Sequence, residues 1–222
     1  MKERFKELLA QTPFFWPVYA LHYRVFHWFC LPRWKRAGCP TPPPYPVKQQ
    51  LLRACALKHD LRVFIETGTC HGDTIFSLRN VFEQLYSIEL CKPYYDLVVK
   101  RFKRMPQVHL ILGNSATELI SILDQIRPLK QRQLFWLDGH YSGADSAKGE
   151  VETPIFQELG HILSDEQTLT AVVAIDDARE FGGNPNYPSL DELVSFVKKR
   201  RNSVTITINT DIIWIAPSVM NL

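Results

Sequence analysis

Five short apolar runs, each preceded or followed by a stretch with helical spacing, constrain the fold of this chain more than any other feature. They are Arg62–Thr67 (RVFIET), Gln84–Glu89 (QLYSIE), Val108–Leu112 (VHLIL), Gln133–Asp138 (QLFWLD) and Leu169–Asp176 (LTAVVAID). Their apolar residues are nearly continuous, as expected for parallel strands buried on both faces; a sheet with one wet face would alternate. Between and around them the apolar spacing predicts helices at Val47–His59, Thr74–Phe82, Pro93–Arg104, Ser115–Ile126, Thr153–Leu163 and Ser189–Arg200. Strands alternating with helices indicate an α/β fold. The end of the chain departs from this rhythm: SVTITIN and IIWIAP are separated only by Thr210-Asp211, which predicts an antiparallel hairpin. The expected body is a mostly parallel sheet of seven strands with a C-terminal antiparallel hairpin and helices on both faces.

A chain of 222 residues exceeds one domain of about 150 residues by a segment too short to be a second. The surplus lies at the N-terminus. Residues 1–46 carry seven Lys/Arg and two acids, and eleven of the 26 aromatic residues. Within Phe14–Leu31, Pro17, His22, Arg24 and His27 oppose a membrane-spanning helix, and no signal-peptide pattern is visible. Two readings of this aromatic, helical arm stay open. It either packs on the body or closes a homodimer, or it lies through residues 1–36 on an anionic membrane surface, with Trp16, Trp28 and Trp34 near basic residues. The run Pro40-Thr-Pro-Pro-Pro-Tyr-Pro46 is expected to be an extended spacer, dividing an arm at 1–46 from a domain at 47–222.

Composition removes several function classes. A net charge of +3 with no recurring Lys/Arg stripe along the body argues against a nucleic-acid partner. Cys30, Cys39, Cys55, Cys70 and Cys91 are odd in number and form no CxxC pair, so neither a disulfide framework nor a structural zinc site is expected. A reducing, cytoplasmic setting fits that usage. The Gly/Asn/Pro-rich loop from Ala178 to Pro188 is a candidate active-site flap.

Ligands of open α/β sheets bind at the carboxyl ends of the strands, and these ends are polar here. The first run leads into Glu66-Thr67-Gly68-Thr69-Cys70-His71-Gly72-Asp73-Thr74, where two glycines let the backbone approach a ligand and Asp73 or Thr74 can cap the next helix. A plain structural turn is the competing reading. No Gly-Lys-Ser/Thr follows, and Cys70 breaks the GxGxxG spacing of dinucleotide sites. Glu89 closes the second strand, where a carboxylate can accept both hydroxyls of a ribose, unless it is merely a surface acid. Gly113-Asn114-Ser115 follows the third, offering an amide and a helix N-terminus for an adenine edge, with Ser115 alternatively a simple N-cap.

Asp138-Gly139-His140-Tyr141 ends the fourth strand and Asp176-Asp177 the fifth. Carboxylates crowded together repel unless a cation or proton shares them, and hard oxygen ligands select Mg²⁺ or a similar divalent ion over zinc. The alternative is that Asp138 and Asp177 cap helices or pair with Arg179. His140 can reach a substrate hydroxyl as a general base, or serve only as a hydrogen-bonding loop residue; Tyr141 is the other base or a substrate contact.

Taken in this order and closed by a hairpin, Glu66-x-Gly68-x-x-x-Gly72, Glu89, Asn114-Ser115, Asp138-Gly139-His140 and Asp176-Asp177 resemble the class I S-adenosylmethionine-dependent methyltransferases over about residues 47–217. The acidic set is similar to that of the metal-dependent O-methyltransferases of the catechol and macrolide-sugar types. The stretches FIETGTCHGDT, YSIEL, LFWLDGHYSG, ETPIFQEL and IDDAREFGG also resemble uncharacterised bacterial methyltransferase-like proteins encoded near surface-polysaccharide genes.

The resemblance implies a Rossmann-like fold with S-adenosylmethionine as cofactor. Glu66, Gly68 and Gly72 would line its methionine part, Glu89 its ribose and Asn114 and Ser115 its adenine, with Thr67, Thr69, Thr74 and Asp138 also expected to bind it. Asp138, Asp176 and Asp177 would hold Mg²⁺; the catalytic candidates, His140 and Tyr141, come from the residues themselves. The implied reaction is O-methylation of a sugar, glycan or other vicinal-oxygen acceptor. Thr69 and Cys70 stand where many relatives keep smaller residues, and no lysine follows Asp138 where the catechol enzymes place their base. The rival classes are a non-catalytic interaction module whose arm binds a partner or membrane, a metal-using glycosyl or phosphoryl transferase, and a nicotinamide oxidoreductase.

Overall fold

The computed structural model describes Val25, residues 29–139 and residues 153–220. Helix α1 (Tyr45–His59) leads into β1 (Val63–Thr67), followed by α2 (Asp73–Leu78), β2 (Gln84–Glu89), α3 (Lys92–Phe102), β3 (Val108–Leu112), α4 (Ser115–Ile126) and β4 (Gln133–Leu137). Then come α5 (Ile155–Ser164), β5 (Val172–Ile175), α6 (Leu190–Arg200), β6 (Val204–Asn209) and β7 (Ile212–Pro217). The seven strands form one sheet in the order β3-β2-β1-β4-β5-β7-β6. β1 to β5 pair in parallel, and β7 pairs antiparallel with both β5 and β6.

Alternate residues of each central strand face opposite ways, and the core divides accordingly. Ile65, Phe135, Leu137, Val173 and Ile175 pack on one face with Leu119 and Ile122 of α4, Leu159 of α5 and Leu193 of α6. Phe64, Leu134, Trp136, Val172 and Ala174 pack on the other with Leu52 of α1, Ile75 of α2 and Val98 of α3. This two-sided burial is why the strands read as continuous apolar runs.

Helix and strand ends follow local chemistry. Asn114, not Ser115, caps α4: its Oδ1 accepts from the Ala116 N–H at 3.0 Å. Ser189 and Glu192 form a capping box at the start of α6. Neither Asp73 nor Thr74 caps α2, whose N-cap is Gly72; Asp73 instead takes a 2.7 Å bond from Arg101. Thr210 and Asp211 turn the hairpin at φ 54° and 62°, the left-handed pair that a two-residue turn between twisted strands demands.

The proline run is not extended throughout. Pro44 is the N-cap of α1 and Pro46 lies in its first turn, where a missing N–H costs nothing, so the helix begins at Tyr45, inside the expected spacer. Residues 29–36 are helical. The other arm residues, 1–24 and 26–28, lie outside the described residues, and so does the arm's proposed contact with a membrane or second copy. No helix among the described residues is long and apolar enough to cross a membrane.

Candidate functional site

The strand order reverses between β1 and β4, and a cleft opens at their carboxyl ends. Single backbone bonds extend the ladders past the strands and bring the polar residues into line. Gly113 N–H donates to the Glu89 carbonyl, Gly68 to Ile88, Asp138 to Thr67 and Asp176 to Leu137, all at 3.0–3.1 Å. The cleft, of about 230 Å³, is lined by Tyr45, the loop Gly68–His71, Asp73, Thr74 and Asp138. A larger groove between α6 and β6, including Leu193, Val194, Val204 and Ile206, is mostly apolar and distant from these residues in the fold.

The glycines of the loop answer to the protein's own packing. Gly68 has φ +84°, and a Cβ there would stand 2.6 Å from the Asp138 carbonyl oxygen. Gly72, at φ +74°, would drive a Cβ to 2.6 Å from the Phe102 ring. Both are therefore needed to lay the loop against β4 and α3, whatever else approaches it.

Under the loop lies a buried hydroxyl–carboxyl chain. β1 and β2 pair Glu66 with Ser87, so the Ser87 hydroxyl donates to Glu66 Oε2 at 2.7 Å and Thr69 Oγ1 lies 2.6 Å from Ser87 Oγ. Glu66 is 1% exposed. Burial pushes its carboxyl up to about 8, against the lowering effect of hydrogen bonds from Ser87 and Thr74. Glu66 is thus a post beneath the loop. Glu89 ties the same loop to the start of α3: Oε2 accepts from the Cys70 N–H in the loop and Oε1 from the Cys91 N–H at the N-cap of α3, both at 2.7 Å. A carboxylate offers about four lone-pair sites, so these bonds leave Glu89 capacity for two further donors.

Thr67 and Thr69 are also buried supports, and Thr67 Oγ1 accepts from the Gly139 N–H at 3.3 Å. Asn114 spends its carbonyl oxygen on the cap of α4. Ser115 hydrogen-bonds the Glu158 side chain on α5, whose carboxyl is pushed up to about 7, chiefly by burial. Glu158 Oε1 is buried with no hydrogen-bond partner among the described residues. A buried carboxyl group thus stands behind Ser115, one that the sequence reading did not name.

At β4 and β5 the expected three carboxylates are adjacent, but each is already engaged. The Tyr45 hydroxyl donates to Asp138 Oδ2. The Lys48 ammonium bonds Asp176 Oδ1, and Asp177 Oδ1 at 2.9 Å. Asp177 Oδ1 also accepts from Arg179 at 2.9 Å, and the Asp177 N–H donates to Asp176 Oδ1 at 2.7 Å. A fourth carboxylate joins them. Because β7 runs antiparallel beside β5, the hairpin turn returns Asp211 to this edge, where it accepts from the Arg179 N–H at 3.0 Å and from its guanidinium, and lies 3.8 Å from Lys48 Nζ.

Charge follows these contacts. Burial, then Asp176, holds the Asp138 carboxyl well above the usual carboxylate range. Burial and Asp177 push Asp176 up to about 6, with Lys48 opposing. Burial raises Asp177 too, but Lys48 and Arg179 outweigh it and bring that group below its ordinary value. Burial pulls the Lys48 ammonium down, yet its two aspartates outweigh burial, so it stays charged.

A hard divalent ion wants about six oxygen ligands around one point. The carboxylates surround an ammonium instead, and among the described residues no group of three or more His, Cys, Asp or Glu side chains is disposed to hold a metal. The expected Mg²⁺ site at Asp138, Asp176 and Asp177 therefore does not fit this arrangement. The pairing of Asp177 with Arg179, the competing expectation, is present. His140 and Tyr141 lie outside the described residues.

Tyr45, Lys48, Ser87, Glu158 and Asp211 were missed by sequence reasoning. One signal was available: Lys48 stands on the same helical stripe as Leu52, Cys55 and Ala56, all buried, where a lysine is out of place.

The chain is similar to the O-methyltransferase TomG from Streptomyces achromogenes, involved in tomaymycin synthesis and solved with SAM. That match has 20% identity over 83% of this chain and 85% of that one, with a TM-score of 0.53. It is similar to a putative caffeoyl-CoA O-methyltransferase from Staphylococcus aureus at 12% identity, 90% and 97% coverage and a TM-score of 0.52. An SAH-bound methyltransferase from Podospora anserina matches at 13% identity, 87% and 86% coverage and a TM-score of 0.53. No family model and no curated protein matches the chain. The likeness establishes the fold as the Rossmann-like, class I methyltransferase fold.

Proposed function

We propose that this protein is an S-adenosylmethionine-dependent O-methyltransferase acting on a hydroxyl of a small acceptor of the sugar or vicinal-diol class. The observation that carries the reading is the cleft at the β1/β4 reversal, with a left-handed glycine loop as one wall and Glu89 holding that loop by the Cys70 N–H. Bound there, the cofactor supplies a methyl group on a sulfonium, poised for in-line displacement. The protein's work is alignment and proton removal.

In this reading Glu89 accepts the ribose hydroxyls, Gly68 and Thr69 present loop backbone to the methionine part, and Asn114 and Ser115 flank the adenine. Glu66 positions the loop through Ser87 and Thr74 without reaching the cofactor. Asp138, with Tyr45 on its carboxyl group, forms the wall between donor and acceptor. His140, two residues beyond Asp138, would take the proton of the acceptor hydroxyl as that oxygen accepts the methyl group. Tyr141 contacts the acceptor.

The test is transfer of labelled methyl from S-adenosylmethionine to a panel of monosaccharides, nucleotide sugars and catechols. The reading expects product with at least one hydroxylated acceptor and loss of about 100-fold or more in His140→Ala, the scale of general-base catalysis. Transfer to nitrogen acceptors alone, or no cofactor turnover with any of them, would contradict it.

A further inference from the structure

We propose that Lys48 is the resident cation of the acidic site, and that its ammonium keeps divalent metal ions out of a carboxylate cluster that would otherwise bind them. Lys48 reaches the site from the first turn of α1, is 3% exposed, and bonds Asp176 and Asp177 directly, with Asp211 at 3.8 Å. Its ammonium therefore stands where those three carboxylates converge, the position a hard cation would take.

The charge balance supports exclusion. Asp176, Asp177 and Asp211 carry three negative charges when ionised, and Lys48 and Arg179 return two positive ones. A divalent ion entering this set would have to displace the ammonium and leave it buried beside a doubly charged cation. That arrangement combines like-charge repulsion with an unpaired buried charge. Arg179 cannot substitute from its own position, because its guanidinium is held by Asp177 and Asp211 at the outer side and is 35% exposed. Held apart around the ammonium, these carboxylates are not disposed to hold a metal; removing Lys48 should leave three of them around a void of ammonium size, free to close on a divalent ion. The inference does not depend on methyl transfer, since it concerns only which cation the carboxylates hold.

The experiment is a Mn²⁺ titration of the full-length protein, followed by the loss of the free-ion paramagnetic resonance signal and by thermal melting. The variants are Lys48→Gln, which keeps hydrogen bonding in a side chain one atom shorter but no charge, and Lys48→Arg, which keeps the charge. Wild type and Lys48→Arg are expected to leave the signal intact at about 1 mM Mn²⁺, near the weak end of known protein sites. Lys48→Gln is expected to bind one equivalent at least tenfold tighter and to melt higher as Mn²⁺ is added. Stoichiometric binding by wild type overturns the proposal, even if Lys48→Gln fails to fold. Silence from a folded Lys48→Gln overturns it as well, because the cluster would then not be a cation site that Lys48 fills.

Discussion

At the carboxyl ends of β1 and β2, Glu66 and Glu89 are buried against hydroxyls and peptide N–H groups; at the ends of β4 and β5, Asp138, Asp176 and Asp177 meet a phenol, an ammonium and a guanidinium. Both regions face the same cost of placing acids at a protected edge. The first meets it with neutral donors and, for Glu66, with a bound proton. The second meets it with cations delivered from α1 and the loop after β5. The difference teaches that acidic residues at this edge do not by themselves call for a metal ion: what packs against them decides. α1, which precedes the whole sheet in sequence, settles the matter for the second region.

Removing a cation should break the second region far more than the first. Lys48→Ala leaves Asp176 buried without its partner, a change that costs about 3–5 kcal/mol in comparable settings. Urea unfolding should show that loss, and Asp176→Asn in the same chain should recover a large part of it, as coupled neighbours do.

Proton binding distinguishes the first region. The Glu66 carboxyl is raised from about 4.5 to about 8 in the folded state, mainly by burial. Its contribution to stability is therefore complete below pH of about 4.5, where folded and unfolded chains are both protonated, and is lost as pH rises through about 8. Glu66→Gln should flatten that decline and exceed wild type at pH 8 by on the order of 2–4 kcal/mol. Denaturant melts at several pH values would show it. Parallel slopes in the two proteins would place the titration elsewhere.

The loop joining the two regions gives a smaller effect. Gly68→Ala sets a methyl against the Asp138 carbonyl in a left-handed conformation, a strain on the order of 1–3 kcal/mol. Thermal melting should report it, and SAH affinity should fall about tenfold if part of that strain is relieved by shifting the loop. Smallest is Ser189→Ala, which removes the capping box of α6. It should cost about 1 kcal/mol in stability and leave SAH affinity unchanged, because α6 packs away from the cleft.

Most of the fold was legible because its signals are local. The strand runs are apolar on both sides of the pleat, and the SVTITIN–IIWIAP pair is joined by a turn too short for a crossover, so the observed strands fall within or beside the expected ones. Asp138, Asp176 and Asp177 were legible as neighbours because parallel strands bring their carboxyl ends to one edge. What lies against them was less so. Lys48 is fifteen residues before β1 and reaches Asp176 across a separation of 128 residues. Asp211 reads as a turn residue until β7 is known to insert beside β5. Glu158 and Lys48 share a lesson: each sits on the apolar stripe of its helix, between Ile155 and Leu159 in one case and before Leu52 and Cys55 in the other. A polar residue on such a stripe marks a buried partner. The carboxylate cluster pointed to a metal because a crowded charge needs an opposite one, and the sequence pattern does not say which group supplies it.

In the proposed function one end of this edge binds an adenosyl cofactor, while the other carries its own cation, Lys48. Calorimetric titration with S-adenosylhomocysteine, with and without Mg²⁺, in wild type and Glu89→Ala, tests it most directly. The account predicts micromolar binding to wild type, indifferent to Mg²⁺ and abolished in Glu89→Ala. No binding under either condition, or binding that appears only with Mg²⁺, would contradict it.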